Sequence, residues 1–407
     1  MKKILFIILD GLGDRPIKEL KGRTPLEAAK TPNFDFLVKN GICGLIEPVF
    51  FGDFPTSKDA HLSLFGYDLN KWHMGRGVFE VLGIGMKMKE GDVALRGNFA
   101  TVDKNLKIID RRAGRISDIK PLIKSLNGLV ISGVKFLLAS GISHRVGIIL
   151  RGKNLSEQIS DGDLYESKII APKILPLKKI KEAKFTAKVL NEFLIKSHQI
   201  LKEHPLNKKR ERKGLLPANY LLVREAGKFK KIPPFSKIWK FASLPAGREL
   251  KSAAISGGGL YQGIGKVLNM DIIKVKGATG KPDTNIKGKL EAARKAFKKY
   301  NFIYLHIKGT DVFSHDGDFL GKKKFIEKID KFLPILFGLK NTLIIITGDH
   351  TTPCKIKEHT ADPIPILIYG NGKDSVEKFS EKDCRKGKLG KIKSNILMKT
   401  IWRKRFF

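Results

Sequence analysis

The sequence predicts an α/β protein with a mainly parallel sheet, interrupted by a smaller α+β insert, and three observations predict it. Short runs rich in Ile, Leu and Val recur along the chain: KILFIIL (3–9), GLIEPVF (44–50), NYLLVR (219–224), NFIYLHI (301–307), TLIIIT (342–347) and PIPILIYG (363–370). Continuous apolar runs of this length suit strands buried on both faces, as in a parallel sheet. Helical patterns lie between them. KGKLEAARKAFKKY (287–300) puts Leu290, Ala293 and Phe297 on one face, and FIEKIDKFLPILFG (325–338) repeats the periodicity. Strands alternating with helices indicate parallel crossover units.

The third observation is a change of character in the middle. Shorter strand candidates, VALRGNFATV (93–102) and RVGIILR (145–151), precede one long amphipathic helix, FTAKVLNEFLIKSHQILKEH (185–204). The charged run NKKRERKG (207–214) after it reads as a solvated linker. The expected organisation is a discontinuous domain of residues 1–90 and 213–407, with residues 91–212 inserted and hinges near 85–92 and 205–215.

Composition narrows the class. Cys43, Cys354 and Cys384 are too few and too scattered for a disulfide framework, and none forms a C-x-x-C pair, which fits a reducing cytoplasm. The opening MKKILFIILD imitates a signal peptide, but its apolar run stops at Asp10 without a small-residue cleavage site, so it reads as a buried first strand. No window reaches the ~18–20 apolar residues of a membrane span, so a soluble protein is expected. Lys+Arg 78 against Asp+Glu 40 gives a net charge of +38. Such a field attracts anions, or simply reflects a lysine-rich surface. With no aromatic-interleaved basic motif or zinc knuckle, no specific nucleic-acid partner is expected.

Chemistry-bearing residues stand at strand ends. Asp10 follows the first run in LDGLGDRP; Asp311 and His315 lie beyond NFIYLHI in GTDVFSHDGD; Asp349 and His350 follow TLIIIT in TGDH; His359 lies in KEHTADPIP. Ligands of a parallel α/β sheet gather outside the carboxyl ends of its strands, so these groups would converge. Taken singly, each Asp could cap a helix and each His could be a surface residue. Together, three carboxylates and three imidazoles suit Mn²⁺, Zn²⁺, Co²⁺ or Fe²⁺ better than an all-oxygen Mg²⁺ or Ca²⁺ cage, and they are enough for two ions. Ser57, at the start of the helical pattern SKDAHLSLFG, is either an N-cap or a nucleophile whose phosphorylated form the helix N-terminus would stabilise.

As a set, LDGLGDRP, PTSKDAHLSLFGYD (55–68), GRGVFEVLGIG (75–85), RGNFATV (96–102), DRRAGRI (110–116), SHRVGIILRG (143–152), HPLNKKRERKGLLPAN (204–219), GTDVFSHDGD and TGDHTTP resemble the archaeal type of cofactor-independent phosphoglycerate mutase, in the alkaline phosphatase superfamily. The resemblance extends from the first residues to about residue 370. It implies an alkaline-phosphatase-like three-layer domain and exchange of 3-phosphoglycerate with 2-phosphoglycerate through a phosphoserine at Ser57, without 2,3-bisphosphoglycerate. By matching motifs it assigns Asp10, Ser57, Asp349 and His350 to one metal and Asp311, His315 and His359 to the other, with Mn²⁺ expected and Zn²⁺, Co²⁺ or Mg²⁺ as alternatives. It makes the insert a transferase domain that grips the glycerate. Arg111, Arg112, Arg115 and Arg145 are the candidates there, because a guanidinium fork binds carboxylate or phosphate bidentately. The partner would be a small phosphorylated metabolite, with neither nucleic acid nor membrane involved.

A phosphatase or phosphonate-processing hydrolase of the same superfamily is the alternative. Smaller features stay open. Asp110 could move protons or pair with its arginine neighbours, and His61, one turn after Ser57, could orient phosphate or face solvent. GGGLYQGIGKVLNM (257–270) lacks a clear preceding strand, which argues against a dinucleotide fingerprint, and GATGKPDT (277–284) lacks Walker spacing, although its Lys281 could approach phosphate.

Overall fold

A computed structural model describes residues 3–239 and 250–403 of the chain. It divides into two compact units, Met1–His73 with Ile232–Phe407, and Met74–Lys231.

The first unit is built on an eight-stranded sheet, in the order Asp271–Ile272, Ser252–Ile255, Phe302–Ile307, Lys3–Leu9, Thr342–Thr347, Ile364–Tyr369, Gly41–Glu47 and Gly390–Lys393. Neighbours run parallel except around Ile364–Tyr369, which is antiparallel to both strands beside it. An apolar run carries no signal of strand direction, which is why that reversal escapes the sequence. In the centre, Leu9 pairs with Ile307 and Ile8 with Thr347, so three parallel strands end side by side. Their side chains are buried on both faces, as the uninterrupted apolar runs require. Helix Ile286–Ala296 lays Leu290 and Ala293 on this core, and helix Phe319–Phe332 adds Phe325, Ile326 and Ile329. The latter tightens into a 3-10 turn at Leu333–Leu336, where Pro334 has no N–H to continue the helix.

The second unit holds an antiparallel sheet ordered Ile108–Asp110, Val93–Val102, Arg145–Arg151, Val134–Ser140, Val130–Ile131, with Tyr220–Lys228 also paired to Val93–Val102. Helix Lys181–Glu203 buries its apolar stripe against it, stacking Phe193 on Phe136 at 3.9 Å.

Three expectations change here. NYLLVR belongs to this antiparallel sheet, not to the parallel one. The unit boundaries fall at 73/74 and 231/232 instead of near 85–92 and 205–215, because helix Arg76–Gly83 packs on Val93–Val102 and Tyr220–Lys228 pairs with that same strand. The packing is close: a Cβ on Gly77 would lie 2.3 Å from the Ala94 carbonyl oxygen. Finally, NKKRERKG is not a linker. It lies mostly in helix Pro205–Arg212, anchored by buried Asn207, whose amide donates to the Leu201 and Ala218 carbonyls and accepts from Ala218 N–H.

Candidate metal centre

The three central strand ends deliver three aspartates to one place, where Asp10 and Asp349 each have one carboxylate oxygen engaged and the other without a donor among the described residues. Asp10 Oδ2 accepts from the Tyr261 hydroxyl, His306 Nε2 (3.1 Å) and Lys308 Nζ (3.2 Å), whereas its Oδ1 has no hydrogen-bond partner among the described residues. Asp349 Oδ1 accepts from the Gly11 and His350 N–H groups at 3.0 Å each, while its Oδ2 is likewise without a partner. Lys308 takes Asp311 Oδ2, and Asp311 Oδ1 faces Thr352 Oγ1 at 3.2 Å. Gly11 is required: its φ is +63°, and a Cβ would come within 2.9 Å of Asp311.

The histidines repeat this logic. His315 Nδ1 donates to the Lys357 carbonyl at 2.6 Å and His359 Nδ1 to the Pro55 carbonyl at 2.8 Å, while His350 Nδ1 meets Thr352 Oγ1 at 3.0 Å. Pinning Nδ1 leaves Nε2 as the free lone pair. His315 and His359 Nε2 lie 3.3 and 3.4 Å from Asp311 Oδ1, and 3.2 Å from each other. His350 Nε2 lies 3.5 Å from Asp10 Oδ1 and 3.3 Å from Asp349 Oδ2. Two donor groups result, Asp10–Asp349–His350 and Asp311–His350–His359, with His350 common to both and its ring stacked 3.6 Å from that of His359.

Ser57 begins helix Ser57–Leu64, but the cap is Thr56, whose side chain accepts from Asp59 N–H. The Ser57 hydroxyl is thereby released from capping, and its Oγ lies 3.2 Å from His350 Nε2. His61 does not face solvent but is fully buried: its Nδ1 donates to the Ser57 carbonyl at 2.7 Å and fixes the backbone under the hydroxyl.

The charges show what the centre lacks. Burial opposes ionisation of Asp10, yet Lys308 and His306 together outweigh it and hold the carboxyl well below the usual range. Burial also opposes ionisation of Asp311, but Lys308, His315 and His359 together overcome it and depress that carboxyl too. Burial and the neighbouring Asp10 push Asp349 far up. Burial, then His359, drives His350 well down, and burial drives His61 to about 3. A neutral His350, buried Asp10 and Asp349 oxygens without donors among the described residues and one suppressed negative charge together are a donor set short of positive charge. A divalent cation fits it.

The chain matches the metalloenzyme superfamily over residues 2–404. A curated relative, the 2,3-bisphosphoglycerate-independent phosphoglycerate mutase 1 of Methanocaldococcus jannaschii, is 44% identical over 406 residues, covering 98% of this chain and 96% of that protein. The corresponding mutase of Sulfolobus acidocaldarius is also 44% identical, over 95% of this chain and 94% of its own length. The chain belongs to the cofactor-independent phosphoglycerate mutases. Among solved structures, the mutase of Thermoplasma acidophilum aligns with a TM-score of 0.72 and 34% identity over the whole of both chains. A protein of Pyrococcus horikoshii aligns at 0.81, also with 34% identity, over 100% of this chain and 97% of that one. This phosphoglycerate mutase is therefore an isomerase of the intramolecular phosphotransferase class, built as a metalloenzyme. Among the described residues no helix is long and apolar enough to cross a membrane.

The second unit of the mutase carries the arginines. Arg111 Nε donates to Asp163 Oδ1 at 2.8 Å, buried Arg224 bonds Asp163 Oδ2, and the Tyr165 ring lies 4.9 Å from both guanidinium carbons. Arg96 lies near Glu80 and Glu225, with its buried Nε lacking a hydrogen-bond partner among the described residues. Arg145 reaches solvent, yet desolvation by the protein around it, then repulsion from Arg96, lowers its pKa, so these two guanidiniums form one positive field. Arg112 and Arg115 are exposed, on a turn where Ala113, Gly114 and Arg115 all have positive φ. Among the described residues, Asp110 forms no salt bridge with the arginine side chains. It accepts the Arg112 and Gly114 N–H groups and so braces that turn. Arg76, Arg96 and Arg224 went unassigned in the sequence, although Arg76 and Arg96 stand inside motifs that carry the resemblance. Tyr261, His306 and Lys308 were missed as well; a His inside an apolar run gives no sign of which strand end it faces.

Proposed function

We propose that this mutase exchanges 3-phosphoglycerate and 2-phosphoglycerate through a phosphoserine at Ser57, with two divalent ions held by its first unit. Asp10, Ser57, Asp349 and His350 would hold one ion and Asp311, His315 and His359 the other. The observation that supports this most is the clustering of donor atoms at two points: Asp10 Oδ1 and Asp349 Oδ2, without hydrogen-bond partners among the described residues, lie beside His350 Nε2, and Asp311 Oδ1 lies beside the Nε2 atoms of His315 and His359. Mn²⁺ suits this mixed set, and Zn²⁺ and Co²⁺ share its chemistry. When bound, such ions neutralise phosphoryl charge and lower the pKa of the serine hydroxyl.

Ser57 Oγ forms a bond to phosphorus as the bond to the glycerate 3-oxygen breaks, and that oxygen leaves as a hydroxyl. The 2-hydroxyl then attacks the phosphoserine, the P–Oγ bond breaks, and the proton that the 2-hydroxyl gives up balances the one taken earlier. No bisphosphoglycerate is consumed. The N-terminal end of helix Ser57–Leu64 presents its positive dipole end to the phosphoryl oxygens. Residues 74–231 act as the transferase unit, where Arg111, Arg112, Arg115 and Arg145, joined by Arg96 and Arg224, grip the glycerate carboxylate. Buried free thiols at Cys43, Cys354 and Cys384 accord with work in the cytoplasm on a small metabolite.

The test is a coupled assay on chelated protein with 3-phosphoglycerate and no bisphosphoglycerate, Mn²⁺ then being restored while free phosphate is followed. Appearance of 2-phosphoglycerate only with metal, and with little phosphate, supports the reading. Phosphate in place of 2-phosphoglycerate would make the enzyme a hydrolase.

A further inference from the structure

The glycine-rich stretch GGGLYQGIGKVLNM has so far no part in the chemistry. Contrary to its sequence reading, it does follow a strand: Ser252–Ile255 leads through Gly257 and Gly258 into helix Gly259–Val267. A Cβ on Gly257 would lie 2.1 Å from the Thr279 carbonyl oxygen, so only glycine lets the turn pass against the 277–284 loop. The first turn of the helix then carries Tyr261, whose hydroxyl donates to Asp10 Oδ2.

Tyr261 does not act alone. Its ring stacks on that of His306 with centroids 3.4 Å apart, and His306 Nε2 donates to the same oxygen. The backbone of His306 is held in turn by buried Lys289, whose Nζ donates to its carbonyl at 3.0 Å. Lys308 is the third donor to Asp10 Oδ2. Three donors exceed the two lone pairs of one carboxylate oxygen, so Oδ2 is fully taken while Oδ1, with none, faces His350.

We propose that Tyr261 and His306 are positioning residues that fix Asp10 as a one-oxygen ligand, so that the site it shares with Asp349 is formed before an ion arrives. The inference rests on the two-metal reading above. Lys308 is a poor probe of it, because that side chain also bonds Asp311 and its removal changes the charge of both donor groups. Tyr261→Phe removes one neutral donor and keeps the ring on His306.

The experiment is calorimetric titration of the metal-free full chain with MnCl₂, with the melting temperature of the metal-free protein as a folding control. Partners of this kind carry about 10- to 100-fold in metal affinity. The expected result is two ions on the wild type, and in Tyr261→Phe about tenfold weaker binding of one of them with the other unchanged. His306→Gln, which removes the stacked ring and alters the second donor, should weaken the same ion. Unchanged or tighter binding of both ions, or equal loss at both, would overturn the positioning role. Fewer than two ions on the wild type would overturn the two-metal reading first, independently of either variant.

Discussion

Ser57 Oγ stands 3.2 Å from His350 Nε2, while the neighbouring Thr56 accepts the hydrogen bond that caps their helix. The hydroxyl is thus placed for chemistry and has no share in the helix's stability. Ser57→Ala should accordingly abolish isomerisation, by about 10⁴-fold or more as for other lost nucleophiles, while the melting temperature is kept and metal content stays mostly intact, since the six other side-chain ligands remain. Thr56→Ala should do the reverse, costing about 1 kcal/mol of stability with the nucleophile retained. Residual interconversion of the phosphoglycerates in Ser57→Ala at wild-type rate would sink the phosphoserine mechanism.

Metal uptake should release protons. Burial and the neighbouring Asp10 raise the pKa of Asp349 far above the usual carboxylate range. Its carboxyl must lose a proton to become a ligand, so apparent Mn²⁺ affinity should rise with pH. Titrations in two buffers of different ionisation enthalpy would give different observed heats, the difference counting the protons released. Asp349→Asn should reduce that count. Heats independent of the buffer would show that the donor set is already ionised without metal.

The parallel core and the acids at its edge were legible because both obey short-range rules: buried strands read as apolar runs, and strand ends collect ligands in a predictable place. What the sequence hid is set by partners far along the chain. Tyr261 meets Asp10 across 251 positions and His306 meets it across 296, and neither pairing leaves a local pattern. The direction of Ile364–Tyr369 was hidden for a different reason, since burial on both faces is the same for a parallel and an antiparallel strand. The place of His61 stayed open because one turn of helix spacing does not say which face is covered; here that face packs against Tyr261, Tyr304 and His306.

Glu381 offers a stability test away from the metal centre. Burial, outweighing hydrogen bonds from Thr24 and from backbone N–H, raises its pKa from 4.5 to about 7. Its folded pKa lies above its unfolded one, so the folded chain keeps a proton that the unfolded chain has released. The associated stability is present in full below about pH 4.5 and is lost as pH rises through about 7. Glu381→Gln mimics the protonated form and should flatten this part of the profile. Urea midpoints of the two proteins at pH 5 and pH 8 check it, and equal pH dependence in both would rule out Glu381 as the source.

Arg145 and Arg224 separate grip from stability within the second unit. Arg145 is exposed and can be truncated without stranding a buried partner, whereas Arg224 is buried on Asp163, and breaking such a pair costs about 3–5 kcal/mol of folding energy. Hydrogen bonds to charged groups contribute about 1.5–3 kcal/mol. Arg145→Ala should therefore raise the KM for 3-phosphoglycerate by about tenfold or more, with melting temperature and Mn²⁺ affinity unchanged. Arg224→Ala should also lower the melting temperature, so a KM effect there is interpretable only beside the Arg145 result. If Arg145→Ala instead lost metal with KM intact, the arginine would not belong to the glycerate site.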